Sequence, residues 1–215
     1  MPEGRPQLPG AVYRELIGAS SRREQVDVVR AYAAAAQALG ADDVARGVEL
    51  LAWAKAAAPR SVAVRELLGV ACYRAGDFPR ARRELLAYRR MSGRHDQNHL
   101  LADCARAAGR YDQAAEYVAQ MERQGAPPDR LAEGLIVLAG ARAERGDARG
   151  ALEVLERADL RPARVQPWHP RLWYVAADLC ARLGELQQAR EYLEAIAAVE
   201  EDFLDVSELL RALGD

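Results

Sequence analysis

Residues 72–85, CYRAGDFPRARREL, place Gly76 five residues before Ala81. The same spacing recurs at three further glycines: Gly109 (GRYDQA), Gly146 (GDARGA) and Gly184 (GELQQA). Successive glycines lie 33, 37 and 38 residues apart, and stretches of helical periodicity flank each of them. A period of this size is typical of arrays of small helical units.

The residues of this unit predict a tight helical hairpin. A glycine that ends the first helix adopts φ > 0 without a Cβ penalty, and the aspartates that follow two of the glycines, Asp77 and Asp147, can cap the second helix. Pro79 fits the first turn of a helix, where an N–H is not needed. The alanine is small because the second helix crosses the first closely there, and a larger side chain would overpack the crossing.

These motifs resemble the tetratricopeptide repeat family. VRELLGVACYRAGDFPRARRELLAY contains Leu68-Gly69, Tyr73 and Ala81 of the family pattern, and LWYVAADLCARLGELQQAREYLEAI contains Trp173 and Ala189. The resemblance implies an all-α, right-handed α-solenoid of about five TPR-like helix-turn-helix repeats with capping helices.

We predict an array over residues 28–202, and its repeats cover 28–61, 62–94, 95–128, 132–162 and 170–202. The first copy is the poorest, with two extra residues in its turn. Residues 1–27 contain a short capping helix near 11–19, and residues 203–215 form the C-terminal capping helix. SRRE (21–24) and DVSE (205–208) have the form of capping boxes that open helices.

The composition favours a helical, globular protein. Thirty basic and 32 acidic residues give a net charge of -2, without the basic excess typical of nucleic-acid binding. No signal peptide is visible at the start, and residues 31–40 are too short and too weakly apolar to span a bilayer. The three cysteines are predicted to be free buried thiols. We therefore expect a cytoplasmic protein with no nucleic-acid or membrane partner.

No enzyme motif is present: the sequence lacks a phosphate-binding loop, a nucleophile elbow and a Cys-x-x-Cys pair. HDQNHLLADCAR (95–106) places His95, His99 and Asp103 at i, i+4 and i+8, a spacing that could present metal ligands on one helical face. We favour a partner contact over a metal site, because this face carries only two histidines and no cysteine. No cofactor is expected.

The family resemblance implies that the first helix of each hairpin lines a concave groove. The groove residues it implies are Glu66, Tyr73, Arg74, His99, Asp103, Arg106, Tyr174, Asp178 and Arg182. Val70, Ile136 and Gly140 share the register, with inter-repeat packing as the alternative for Val70 and Ile136. The set lacks the Lys/Asn residues with which some family members clamp a C-terminal carboxylate.

Two other features have competing interpretations. Residues 80–94 contain six arginines and one glutamate, which favours the solvated outer face of a helix over an anion site. Trp173 takes a core position, whereas Trp168 covers the joint between repeats four and five or anchors a partner.

The sequence thus predicts a non-enzymatic scaffold that binds a peptide or helix of another protein in its groove. The alternatives are self-assembly, with the groove filled by a neighbouring chain or by the chain's own terminus, and a metal-dependent sensor or enzyme using His95, His99 and Asp103. In self-assembly the arginine run could pair with the acidic residues 200–208.

Overall fold

A computed structural model of the protein describes residues 8–213. This part of the chain forms twelve α-helices and no β-strand: α1 Gly10–Ala19, α2 Gln25–Gly40, α3 Val44–Ala57, α4 Val62–Arg74, α5 Phe78–Ser92, α6 Asn98–Ala107, α7 Tyr111–Arg123, α8 Pro128–Glu144, α9 Ala148–Leu155, α10 His169–Arg182, α11 Leu186–Ala197 and α12 Val206–Ala212. The chain divides into two compact units within α6, between Cys104 and Ala105. The predicted all-α helical repeat fold is confirmed.

The four predicted turns share one geometry. The glycines have φ of 74°, 69°, 82° and 78° at Gly76, Gly109, Gly146 and Gly184. The N–H of the next residue donates to the carbonyl oxygen five positions earlier, as in Asp77 N to Cys72 O at 2.9 Å, which closes the preceding helix by a Schellman motif. The alanine that follows at five residues is fully buried at every turn: Ala81, Ala114, Ala151 and Ala189. Asp77 and Asp147 cap the second helices as predicted.

The first copy of the turn contains no extra residues, which corrects the sequence prediction. Asp42, with φ of 61°, takes the place of the glycine, and Asp43 N donates to Ala38 O at 2.8 Å. Gly47, five residues after Asp42, takes the place of the buried alanine. A Cβ there would lie 2.7 Å from Leu39 Cδ2, so the Leu39 side chain would have to shift to admit one. The prediction was wrong because Gly40 looks like the turn glycine, whereas it is the last residue of α2.

This geometry makes Asp42 a test of the turn. We expect Asp42→Ala to lower the free energy of unfolding by about 1 kcal/mol, because alanine tolerates the left-handed conformation poorly. Asp42→Gly should leave stability within about 0.5 kcal/mol, because it removes the strain and loses only an exposed ion pair with Arg74. Urea unfolding followed by circular dichroism distinguishes the two variants. Equal destabilisation by both would mean that the Asp42 side chain, and not its backbone, stabilises the turn.

The first unit packs its helices in hairpins. α4 and α5 approach so closely that a Cβ on Gly69 would lie 2.6 Å from Leu85 Cδ2. α3 contacts both α2 and α4, and α1 also contacts both of these helices. Leu16, Leu51 and Leu68 are fully buried in the core that these helices share.

The second unit contains the paired helices α8–α9 and α10–α11, with α7 packed on α8 and α12 on α11. Between α9 and α10 the chain runs without helix over residues 156–168. Trp173 Nε1 donates to Leu160 O at 2.8 Å and is 4% exposed, which confirms its structural role. His169 lies between the rings of Trp168 and Trp173, with centroid distances of 5.6 and 5.5 Å.

Neither predicted capping box forms. Ser21 Oγ donates to Glu24 Oε2 at 2.6 Å instead of accepting from a backbone N–H, and α2 begins at Gln25. Asp205 precedes α12, but its carboxylate accepts from Tyr174 Oη at 2.7 Å and caps no helix. Ser21 and Asp205 each form a hydrogen bond with another side chain, and not with the backbone of the helix that they were expected to cap.

All three cysteines are free and buried, as predicted. Burial raises the thiol pKa of Cys104 to about 12 and that of Cys180 to about 11. These thiols are therefore core side chains and not nucleophiles. Over the described residues, every helix is too short or too polar to cross a membrane.

Candidate functional site

The first unit contains five of the nine predicted groove residues. Two hydrogen bonds connect these residues of α4 to the chain in and just before α6: Tyr73 Oη donates to Asp103 Oδ2 at 2.6 Å, and Gln97 Nε2 donates to Glu66 Oε1 at 2.8 Å. His99 and Asp103 are only 6% and 8% exposed, whereas Glu66 and Tyr73 are half-buried. Glu66 and Tyr73 are therefore the members of this group that another molecule can reach.

Two tyrosines of the first unit, Tyr32 and Tyr88, lie near carboxylates. Burial raises the pKa of Tyr32 to about 12, with contributions from the negative charges of Glu66 and Glu15. Burial also raises the pKa of Tyr88, together with its hydrogen bond to Asp96 and the charge of Glu66. Glu66 thus lies close enough to both phenols to disfavour their ionisation.

Tyr32 is not among the residues predicted for the groove, although the sequence contains a signal for it. Tyr32 lies ten residues before Asp42, Glu66 ten before Gly76, and His99 ten before Gly109. Once Asp42 is recognised as the first turn residue, Tyr32 takes the same register as Glu66 and His99.

Two arginines predicted for the groove bind elsewhere in their own units. Arg74 donates to Leu39 O at 2.9 Å and pairs with Asp42 at 2.8 Å, so it ties α4 to the turn between α2 and α3. Arg106 pairs with Glu144 of α8. Arg74 therefore brings no free positive charge to Glu66 and Tyr73.

The second unit contains the remaining predicted residues on α10. Asp178 and Arg182 form an exposed i,i+4 ion pair of 2.8 Å. Tyr174 binds Asp205, and its ring lies 6.0 Å from that of Phe203, so the segment before α12 partly covers it. Ile136 and Gly140 are half-buried on α8.

The predicted metal-ligand face does not form. α5 ends at Ser92, is closed by Gly93 with φ of 70°, and α6 begins only at Asn98. His95 consequently lies in the connection and does not share a helical face with His99 and Asp103. Burial and the nearby Arg89 lower the His95 pKa. Within residues 8–213 no cluster of three or more His, Cys, Asp or Glu side chains could hold a metal ion.

The arginine run of residues 80–94 and Trp168 are each partly exposed and partly buried. Arg83 and Arg90 of α5 are exposed, but the single glutamate of the run, Glu84, is fully buried. Trp168 is half-buried and lines a cavity of about 440 Å³ with Leu131 and Pro162. The cavity lies between α8 and the segment 156–168, the joint that the sequence predicted Trp168 to cover.

Comparison with known proteins agrees with the fold. Residues 142–213 match the tetratricopeptide repeat family. A Podosopora anserina structure, assigned as a kinesin light chain with nearly identical TPR-like repeats, has a TM-score of 0.61 at 20% identity and covers 81% of this chain and 95% of its own. A structure of Naa15/Naa10 bound to HypK-THB has a TM-score of 0.46 at 16% identity, over 96% of this chain and 32% of its own.

The comparison with curated proteins found no match. The family match lies in the second unit, and the turn geometry of that unit recurs in the first. The family match thus covers the C-terminal third of the chain, while the hairpins, their left-handed turn residues and the buried small residue five positions later show a TPR-like helical repeat fold in both units.

Proposed function

We propose that the protein is a non-enzymatic scaffold whose first unit binds a basic segment of another protein. The observation that carries the proposal is the face formed by Tyr32, Glu66, Tyr73 and Asp103, which we call the tyrosine–carboxylate face. Within the described residues, Glu66 accepts a hydrogen bond from Gln97 and forms no ion pair. Arg94 lies near enough for its charge and that of Glu66 to interact, but its guanidinium pairs with Asp96. An arginine or lysine of a partner would give Glu66 an ion pair of its own.

The tyrosines favour the same partner. A cation within about 6 Å of an aromatic ring gains about 0.5–1 kcal/mol at an exposed site, and tyrosine is enriched among the residues that dominate interfaces. Arg74, the nearest predicted cation on α4, is held by Leu39 and Asp42 and does not neutralise Glu66. The face therefore presents negative charge beside aromatic rings.

The proposal also covers the repeat boundaries, the second unit and the cellular compartment. We propose five repeats with the boundaries given above, and a contribution of Asp178 and Arg182 to partner binding by the second unit. Buried thiols that are hard to ionise fit a reducing compartment such as the cytoplasm. Self-assembly through the arginine and acidic runs stays a prediction.

Charge reversal on the face tests the proposal. Glu66→Lys should reduce the recovery of a specific partner by at least about tenfold in quantitative affinity purification, because a like charge would face the partner's cation. Binding should also weaken as salt rises from about 0.05 to 0.5 M.

Glu49→Lys on α3 is the matched control, since Glu49 is an exposed glutamate of the same unit. It should leave recovery unchanged. Both variants should keep the wild-type circular dichroism spectrum. Wild-type recovery with Glu66→Lys would remove the tyrosine–carboxylate face from the binding site.

A further inference from the structure

Helix α1 lies beside the face of the first unit that the proposed function assigns to a partner. It contacts α2 and α4, and among the described residues it makes no contact with α3, which packs on the same two helices. α1 and α3 therefore lie on opposite sides of the α2–α4 pair. The charges of Glu15 on α1 and Glu66 on α4 both act on Tyr32, so α1 lies next to the tyrosine–carboxylate face.

Adjacent side chains hold α1 in place. Leu16 is fully buried in the core of the unit, and Val12 and Ile17 pack against the same core while partly exposed. Glu15 Oε2 accepts from Ser61 Oγ at 2.7 Å, and Oε1 accepts from Val62 N at 2.6 Å. Ser61 is itself fully buried, and its hydroxyl also accepts from Val64 N at 3.1 Å. α4 thus begins with a built carboxylate site, which its macrodipole further favours.

α1 itself is a weak helix. It has ten residues with glycines at positions 10 and 18, no side-chain hydrogen bond at its N-cap, no acidic residue in its first turn and no basic residue in its last. Isolated helices of this length are marginal in water. Leu16 is its only fully buried side chain. Releasing α1 should therefore cost less free energy than opening α2 to α5.

We infer that α1 occupies a binding site for an amphipathic helix of another protein, and that this helix displaces α1 when it binds. The partner helix would present a carboxylate for Ser61 Oγ and Val62 N, followed directly by a leucine for the pocket of Leu16. The basic residues that the proposed function requires would lie beside this pair and face Glu66. This inference rests on the proposed function, because the site that α1 occupies adjoins the tyrosine–carboxylate face. The partner segment is therefore an amphipathic helix, and α1 must leave its site before this helix can bind.

A peptide of residues 8–21 tests the inference on the full-length chain. In the double variant Glu15→Ala/Leu16→Ala, α1 loses its hydrogen bonds to Ser61 and Val62 and its one fully buried side chain, so that the partly buried Val12 and Ile17 are left to hold it and its release becomes easier. Measured by fluorescence anisotropy, the labelled peptide should bind this variant at least tenfold tighter than the wild-type chain, where α1 competes in cis. A peptide carrying Glu15→Gln and Leu16→Ala should lose that binding. Tyr13→Ala, on the exposed side of α1, is the matched chain control and should behave as wild type.

Hydrogen exchange supplies an independent measurement. In the wild-type chain the amides of α1 should exchange at least about 100-fold faster than those of α4. Equal exchange rates, equal peptide affinity for the wild-type and double-variant chains, or a loss of helical signal in the double variant beyond the ten residues of α1 would each show that α1 is part of the core and overturn the inference.

The two proposals fail separately. If the peptide shows no gain but Glu66→Lys still loses the partner, the scaffold function stands and α1 is a structural cap. If the peptide binds as expected but Glu66→Lys retains the partner, the site under α1 stands without the tyrosine–carboxylate face.

Discussion

Replacing Glu84 by alanine should lower the free energy of unfolding by about 3–5 kcal/mol, the cost of breaking a buried ion pair from one side. Glu84 is fully buried on α5. Lys55 Nζ lies 2.7 Å from its Oε1, Arg65 Nη1 lies 2.6 Å from its Oε2, and Arg83 Nε lies 3.3 Å from Oε1. Without the carboxylate, the mostly buried heads of Lys55 and Arg65 would face each other with no counter-charge.

The same group predicts an acid-sensitive stability. Burial alone would raise the pKa of Glu84, but the hydrogen bonds and charges of Lys55 and Arg65 outweigh it and lower the pKa below its ordinary 4.5. A carboxyl whose pKa is lower in the folded state stabilises the fold above the unfolded pKa. This contribution should be fully present above about pH 5 and should be lost as the pH falls through the folded pKa. Glu84→Gln should remove this part of the pH dependence.

The exposed pair of Arg46 and Glu49 is the control. Its side chains are 53% and 72% exposed at a distance of 2.7 Å. Glu49→Ala should cost less than about 0.5 kcal/mol. Urea unfolding followed by circular dichroism at pH 7 and at several acidic pH values measures both variants. Similar small losses for Glu84→Ala and Glu49→Ala would mean that water reaches the Glu84 cluster.

The Glu84 cluster could not be predicted from the sequence. Glu84 stands in a run of six arginines and therefore looks like part of a solvated surface, whereas its partners Lys55 and Arg65 are 29 and 19 residues away. The hairpin turns could be predicted because every element of their geometry is local. A glycine, a cap and a small residue lie within six positions, and each has a direct steric reason.

The tyrosine–carboxylate face could be predicted only in part, unlike the hairpin turns and the Glu84 cluster. The register identified Glu66, Tyr73, His99 and Asp103, because positions repeat at fixed distances before the turn. It could not show that His99 and Asp103 are nearly buried or that Arg74 binds the neighbouring turn, because these outcomes depend on packing between hairpins. Tyr32 was missed for a local reason: aspartate can adopt the left-handed conformation that the pattern reserved for glycine.

The long connection between α9 and α10 gives the second large effect, through Trp173. We expect Trp173→Ala to lower the free energy of unfolding by about 3–5 kcal/mol, the usual cost of removing a buried aromatic ring. The ring is 4% exposed, packs on His169 and donates a hydrogen bond to Leu160 O. Its loss should also free residues 156–168, so that their amides exchange faster while those of α4 keep their wild-type rates.

Two companion variants separate the causes. Trp173→Phe keeps most of the ring but leaves the Leu160 carbonyl without its donor, at a cost of about 1–3 kcal/mol. Trp168→Ala removes a half-buried ring from the other side of His169 and should cost less than Trp173→Ala, because less apolar surface returns to water. If Trp168→Ala proved as costly as Trp173→Ala, the cavity wall that Trp168 forms with Leu131 and Pro162 would be the main support of this segment, and the hydrogen bond from Trp173 to Leu160 would be secondary.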